Sequence, residues 1–309
     1  MRDTSVLVIG NVTLDTLYEV DDKGLIVREK IYYGGRGANI AVIGAKLGLK
    51  ASLATFVGDD FYSSHYSEFM RNANVDISNV HLIKGKRCAR IVGFRQPSGR
   101  TNYYFQPNVQ SVYQGLPISR EDLDSYRAIY VTSFDSDRHI KELGSELRRS
   151  HGVFYGTGEE IFRKDSKLIG QIPNFAEYIL SNRKELDQLC KLIGVVQEQA
   201  LFRLSSSRLT CILTTMGAKG CTLYTADEEI KVPAIPVKSM RTDLGAGDAF
   251  AAGFIFGVTR DCPLLECARI GAIVAAFAMQ HDFVQKIEVN WSSFKECYKK
   301  VFGEEPLGF

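Results

Sequence analysis

The run Ser5–Gly10, SVLVIG, constrains this chain more than any other stretch. A continuous apolar, β-branched segment closed by glycine leaves no face for water, so it reads as a central strand of a parallel sheet covered on both sides. The pattern returns in Ala51–Val57, Ala128–Ser133, Gly152–Gly156, Tyr178–Ser181 and Leu209–Thr215. Helices are predicted between them: Ile40–Leu47 ended by Gly48, a segment after Asp60 running to about Ala73, Ser136–Ser150, and one opened by Asn182. Cys221–Tyr224 reads as a hairpin return, Lys231–Pro236 as a further strand, and Pro263–Gln280 and Trp291–Phe302 as the last helices. This alternation specifies an α/β fold, a doubly wound and mostly parallel sheet with helices on both faces.

A second texture interrupts the first. Leu14–Ile31 alternates around a turn at Asp21-Asp22-Lys23-Gly24, and Leu82–Gly85, Arg87–Arg95 and Thr101–Gln106 are short strands separated by glycine-containing turns. Exposed charges and alternation predict a small sheet of antiparallel strands. We expect one domain over residues 1–309, with residues of about 14–33 and 87–110 forming a β-sheet lid inserted above the site.

Bulk properties remove several function classes. The net charge is +2 over 309 residues, with no long run of Lys and Arg, which gives no reason to expect a nucleic acid or membrane-surface partner. The longest apolar run, Ile270–Met279, is far below the roughly 18 residues of a membrane span. The N-terminal MRDTSVLVIG moves straight into a strand without a signal-peptide pattern. Seven cysteines form no C-x-x-C pair and sit largely in apolar runs, consistent with a reducing cytoplasm, so the expected localisation is cytoplasmic. Five histidines show no metal spacing.

Two glycine-rich turns carry the chemistry. Gly34-Gly35-Arg36-Gly37-Ala38-Asn39 and Gly245-Ala246-Gly247-Asp248 each precede a helix of small and apolar residues. Uncovered amides at a helix start bind anions, because the unpaired N–H groups and the helix dipole both favour negative charge. Asp248 would stand beside that anion on a buried helix. Taken alone, it reads equally as an ordinary acidic first-turn residue. The first motif is not a dinucleotide fingerprint, since Ile40 stands where its last glycine is needed, and the chain contains no Walker phosphate loop.

With Asn182-x-x-Glu185 and Thr215-x-Gly217-x-x-Gly220 between them, these motifs resemble, in kind and order, the ribokinase-like or PfkB family of carbohydrate kinases. The resemblance spans nearly the whole chain and is nearest the ribokinase and nucleoside-kinase branches. It implies transfer of the terminal phosphoryl group of ATP to a primary hydroxyl of a sugar or nucleoside. Asp248 would be the base, needing no raised pKa, and the amides of Gly245, Ala246 and Gly247 the anion hole. Asp15, Gly35 and Asn39 would hold the acceptor's hydroxyls. Gln106, at the end of the lid's aromatic stretch Tyr103-Tyr104-Phe105, is read from that position as a further substrate contact. Asn182, Thr215, Gly217 and Gly220 would lie on the nucleotide side, and Glu185 would hold Mg²⁺ through water. Asn182 and Glu185 read equally as an N-cap and its N3 partner. Ala275–His281 would lie near the adenine, with His281 a surface residue. The family's usual Asp-Thr order is reversed here in Thr242-Asp243, so dependence on K⁺ stays open. A homodimer formed through the lid is a further implication.

The acceptor is less constrained. Tyr32-Tyr33 and Tyr103-Tyr104-Phe105 suit a nucleobase or the apolar face of a sugar, and suit equally the packed side of a small sheet. We favour a nucleoside such as adenosine, or ribose. Fructose, 2-keto-3-deoxygluconate or a phosphosugar such as fructose 6-phosphate is the alternative, the last through Arg87, Arg90, Arg95 and Arg100. A non-catalytic sugar- or nucleotide-binding protein of the same fold is a third reading.

Overall fold

The computed structural model describes residues 5–306 apart from 113–114, 116, 133–136, 163–168, 197–198, 205–207 and 238. Strands follow in the order β1 (Ser5–Ile9), β2 (Thr13–Val20), β3 (Ile26–Gly34), β4 (Lys50–Val57), β5 (Val80–Leu82), β6 (Arg90–Arg95), β7 (Thr101–Gln106), β8 (Ala128–Thr132), β9 (Val153–Gly156), β10 (Tyr178–Asn182), β11 (Cys211–Thr215), β12 (Cys221–Tyr224) and β13 (Glu229–Val232). The helices are α1 (Arg36–Leu47), α2 (Asp60–Ser63), α3 (Tyr66–Asn72), α4 (Arg120–Leu123), α5 (Asp137–Leu147), α6 (Arg183–Ile193), α7 (Gln199–Leu204), α8 (Ala246–Val258), α9 (Leu264–Ala278) and α10 (Trp291–Phe302).

The large sheet is ordered β13-β12-β11-β10-β9-β8-β1-β4-β5. Its strands from β11 through β5 are parallel, and β12 and β13 close one edge antiparallel. Both faces are covered, as the apolar strands require. Val6 and Val8 pack in the core that includes α1, α8 and α9, whereas Leu7 and Ile9 belong to a second core with Leu143, Leu147, Leu186 and Leu189. Each such buried aliphatic side chain contributes roughly 1.5–3 kcal/mol of transfer free energy.

Strand β1 lies between β8 and β4, so the winding reverses direction there. Ligands of open α/β sheets bind beyond the carboxyl ends of strands at such a point. The chain leaves β1 through Gly10, where a Cβ would lie 2.8 Å from the Gly37 Cα, and the start of α1 can therefore seat directly on the strand's exit.

The small sheet has the order β3-β2-β6-β7. Its hairpins β2–β3 and β6–β7 are antiparallel as expected, but β2 and β6 pair in parallel. The intervening α1, β4, α2, α3 and β5 return the chain to the core, so β2 and β6 leave it in the same direction. The expected small-sheet strand at Leu82–Gly85 is absent. Val80–Leu82 instead forms the parallel edge of the large sheet beside β4. The expected strand from Arg87 starts only at Arg90. Before it, the Cys88 amide donates to Asp60 Oδ1 at 2.7 Å, and Arg90 Nη2 meets Asp60 Oδ2 at 2.8 Å, which pins the root of the sheet. The helix expected to run to Ala73 breaks at His65, which takes a left-handed φ of 62°. The expected ends at Ser133 and Ser136 lie outside the described residues. Among the described residues, no helix is long and apolar enough to cross a membrane.

Candidate active site

Helix α8 starts at Gly245, which caps it in a left-handed conformation with φ 86°. The Ala246 amide donates to the Asp243 carbonyl at 3.1 Å and is spent on the turn. The next two amides, of Gly247 and Asp248, are first-turn donors with no acceptor within the helix. Of the three amides expected to form an anion hole, that of Ala246 is thus already paired within the turn.

Asp248 is the third residue of α8 and 7% exposed. Its Oδ2 accepts from Asn39 Nδ2 at 2.7 Å, and Arg36 Nε lies 3.5 Å from Oδ1. Burial raises its pKa above the ordinary carboxylate value, a shift that the sequence reading did not require. The Arg36 charge and the Asn39 hydrogen bond oppose the rise, and the charge of Glu185 adds to it.

Both contacts to Asp248 come from α1. Gly35, at φ 101°, is the residue before that helix, and the Gly37 and Ala38 amides donate to Asn11 Oδ1 and O as the chain leaves β1. Gly35 is buried against Asn11, Val12 and Thr13, so it shapes the turn, and its neighbour Gly34 lines the cavity.

Above this start is a cavity of about 110 Å³ between the two sheets. Asp15, Asn39, Tyr32, Tyr103, Phe283 and Arg95 are among the residues lining it. Asp15 is 8% exposed, and its Oδ1 accepts from the Ile91 amide at 3.0 Å. Burial pushes its pKa up to about 6. The side-chain period of two decides which lid residues participate. Tyr103 pairs across Gly93 with Leu17 on the cavity side, so Tyr104 and Gln106 point to the other face. Gln106 is exposed there and is placed away from the cavity. Of the four lid arginines only Arg95 lines it, while Arg90 is held by Asp60.

A second cavity, of about 600 Å³, opens on the other side of the Thr242–Gly247 turn. Thr215, Gly217, Gly220, Asp243, Gly247 and Met279 are among its lining residues. A Cβ on Gly217 or Gly247 would meet no protein atom within 4 Å, so both backbones are open to the cavity. Gly220, at φ 87°, instead packs against the Val232 carbonyl. Ala275 and Ala276 form part of the apolar wall, and His281 does not line it. Thr242 and Leu244 face the first cavity, and Asp243 and Gly247 the second.

Asn182 and Glu185 form a capping box on α6. Asn182 Oδ1 accepts from the Glu185 amide, and Glu185 Oε2 from the Asn182 amide, both at 3.0 Å. Thr157 Oγ1 also donates to Oε2, at 2.7 Å. No cluster of three or more His, Cys, Asp or Glu side chains suited to a metal occurs among the described residues.

Residues 3–288 match the model of the pfkB family of carbohydrate kinases. The chain belongs to that family. This pfkB-family kinase is 24% identical to a nucleoside kinase of Methanothermobacter thermautotrophicus, over 99% of each chain. It is 28% identical to a cytidine kinase of Thermococcus kodakarensis, over 86% of this chain and 92% of the relative. Its fold matches the crystal structure of a Methanocaldococcus jannaschii nucleoside kinase with a TM-score of 0.86 at 21% identity, covering 97% and 99% of the two chains. A Burkholderia thailandensis nucleoside kinase in complex with inosine superposes with a TM-score of 0.83 at 17% identity, over 98% and 99%.

The sequence reading of this pfkB-family chain missed three polar residues of the site. Arg36 lies inside the first glycine-rich motif, where the glycines and Asn39 carry the recognisable pattern. Tyr66 and Gln285 contact Asn39 or each other from remote segments, with no local pattern to mark them.

Proposed function

We propose that this kinase phosphorylates a primary hydroxyl of a nucleoside, using ATP. The observation that carries this reading is the position of Asn39. It lines the aromatic cavity and hydrogen-bonds Asp248, joining a substrate pocket to a carboxylate at a helix start. Asp15 accepts hydrogen bonds from the acceptor's hydroxyls, and Asn39 contributes a second polar contact. Tyr32, Tyr103 and Phe283 surround the rest of the acceptor, a lining that suits a planar base better than a free sugar.

Asp248 takes the proton of the attacking hydroxyl, while Arg36 and Asn39 hold its carboxylate in place. The Gly247 and Asp248 amides face the charge that develops during transfer. ATP bound in the larger cavity supplies the terminal phosphoryl group, over the open backbones of Gly217 and Gly247. Mg²⁺ keeps most of its water and uses few carboxylates, which suits a single acid such as Glu185. The capping bonds fall on Glu185 Oε2, and the residue both caps α6 and serves the ion through water. Asn182 acts through the cap.

Arg95 and Lys30 on the cavity wall support a second reading, a phosphosugar acceptor. The test is ADP release with adenosine, inosine, cytidine, ribose, fructose, 2-keto-3-deoxygluconate and fructose 6-phosphate. Turnover on nucleosides is expected. Turnover confined to sugars or to fructose 6-phosphate removes the nucleoside reading, and turnover on none removes both proposed acceptor classes. We also read the lid as a homodimer surface, because Val27, Ile31 and Tyr104 are exposed on its outer face. A monomeric mass by light scattering would refute that. The expected location is the cytoplasm.

A further inference from the structure

We infer that Gln285 and Tyr66 are positioning residues that set the polarity of the Asn39 amide, so that a donor always faces Asp248. The inference rests on Asp248 being the base. It follows from a chain of four hydrogen bonds whose direction is fixed at one end.

That end is the Gly34 carbonyl, which can only accept. Tyr66 donates its hydroxyl hydrogen to it at 2.9 Å, so towards Gln285 the same oxygen must act as acceptor. Gln285 Nε2 lies 2.6 Å from the Tyr66 hydroxyl and 2.8 Å from Asn39 Oδ1, and its two hydrogens satisfy both. With its oxygen held by Gln285, Asn39 turns its NH₂ group to Asp248 Oδ2 at 2.7 Å. Reversing either amide would set oxygen against oxygen at Asn39 or at the carboxylate. Among the described residues no protein group donates to Gln285 Oε1, so its NH₂ end alone decides which way this amide faces.

Tyr66 and Gln285 are fully buried, and Asn39 is 7% exposed, so water cannot readily substitute for a lost link. The segment bearing Gln285 is itself tied to α1. Lys46 Nζ donates to the Gln285 carbonyl at 2.9 Å and to the Ile287 carbonyl at 3.1 Å. One helix thus supplies Asn39 at its start and the clamp for Asn39's partner near its end. The charged groups that act on Asp248 are Arg36 from α1 and Glu185 from α6, and neither belongs to the chain of amides.

The test compares kcat, acceptor KM and the pH profile of ADP release in wild type, Gln285→Met, Gln285→Glu, Tyr66→Phe and Asp248→Asn. Gln285→Met removes the donor at similar length. It is expected to lower kcat about tenfold, with acceptor KM within threefold, and to move the acid limb to higher pH. Gln285→Glu, once ionised, can only accept. It draws the Asn39 NH₂ group away from Asp248 and should reduce kcat more than Gln285→Met. Tyr66→Phe keeps the ring stacked on Tyr33 and shifts the same limb less, and it carries the test if the Gln285 variants do not fold. Unmoved acid limbs, or equal kcat in Gln285→Met and Gln285→Glu, overturn the inference. Full activity in Asp248→Asn overturns the base assignment instead.

Discussion

Asn39 Nδ2 and Asp248 Oδ2 lie 2.7 Å apart although 209 residues separate them in the chain. The bond joins the starts of two helices, each preceded by a glycine with positive φ. Replacing Asp248 with Asn removes the proposed proton acceptor while keeping the shape. Turnover should fall by roughly 10²–10⁴-fold, with ATP affinity little changed. ADP release and nucleotide titration measure the two; a variant that keeps most of its activity would not have lost its base.

Arg36 is the largest influence opposing the raised pKa of Asp248. Arg36→Met should therefore raise that pKa further. A base works ionised, so the acid limb of the rate profile moves to higher pH, and the loss is greatest on the acid side. An equal loss across the whole profile would instead make Arg36 only a transition-state contact.

Asp15 has a folded-state pKa of about 6 against an ordinary 3.8. A raised pKa means stability that is present below the unfolded value and disappears as pH rises through the folded one. Two units correspond to about 3 kcal/mol. Asp15→Asn, which retains an acceptor for the Ile91 amide, should match wild type near pH 4 and be more stable than wild type at pH 8, because only wild type loses stability as the pH rises through about 6. Its acceptor KM should rise. Thermal melts from pH 4 to 8 test the divergence.

Gly247 and Gly220 separate ligand contact from chain geometry. Gly247→Ala adds a methyl group to the open cavity, so the melting temperature should stay within about 3 °C while the KM for ATP rises several-fold. Gly220→Ala forces a methyl group into the Val232 carbonyl at a left-handed φ and should fail to fold. Equal melting temperatures for the two would contradict this assignment.

Glu185→Gln preserves the hydrogen-bond acceptor of the capping box and removes the charge. Stability should change little, while the Mg²⁺ concentration for half-maximal rate rises. An unchanged Mg²⁺ response would leave Glu185 as a cap alone.

The sheet and its helices were legible because strands such as Ser5–Gly10 are apolar on both faces, and glycine marks several helix ends. The Leu82 segment was misplaced because three residues carry no pattern that distinguishes a parallel edge strand from a lid strand. The aromatic neighbours of Gln106 suggest a place in the site, whereas alternation puts it on the opposite face from Tyr103. Glycine-rich turns suggest ligand contacts at Gly35 and Ala246, whereas Gly35 packs against residues 11–13 and the Ala246 amide closes its own turn. Tyr66 and Gln285 could not be read from the chain, since their meaning lies in which oxygen each one's hydrogen meets.

Tyr32, Tyr103 and Arg95 stand on a sheet that shares no strand with the one beneath it. Asp248, Gly217 and Gly247 belong to turns and helices of the larger layer. On the proposed function, substitutions in the two hairpins would alter much of the acceptor's surroundings without touching the residues proposed for transfer. The cover and the layer beneath it could then vary separately.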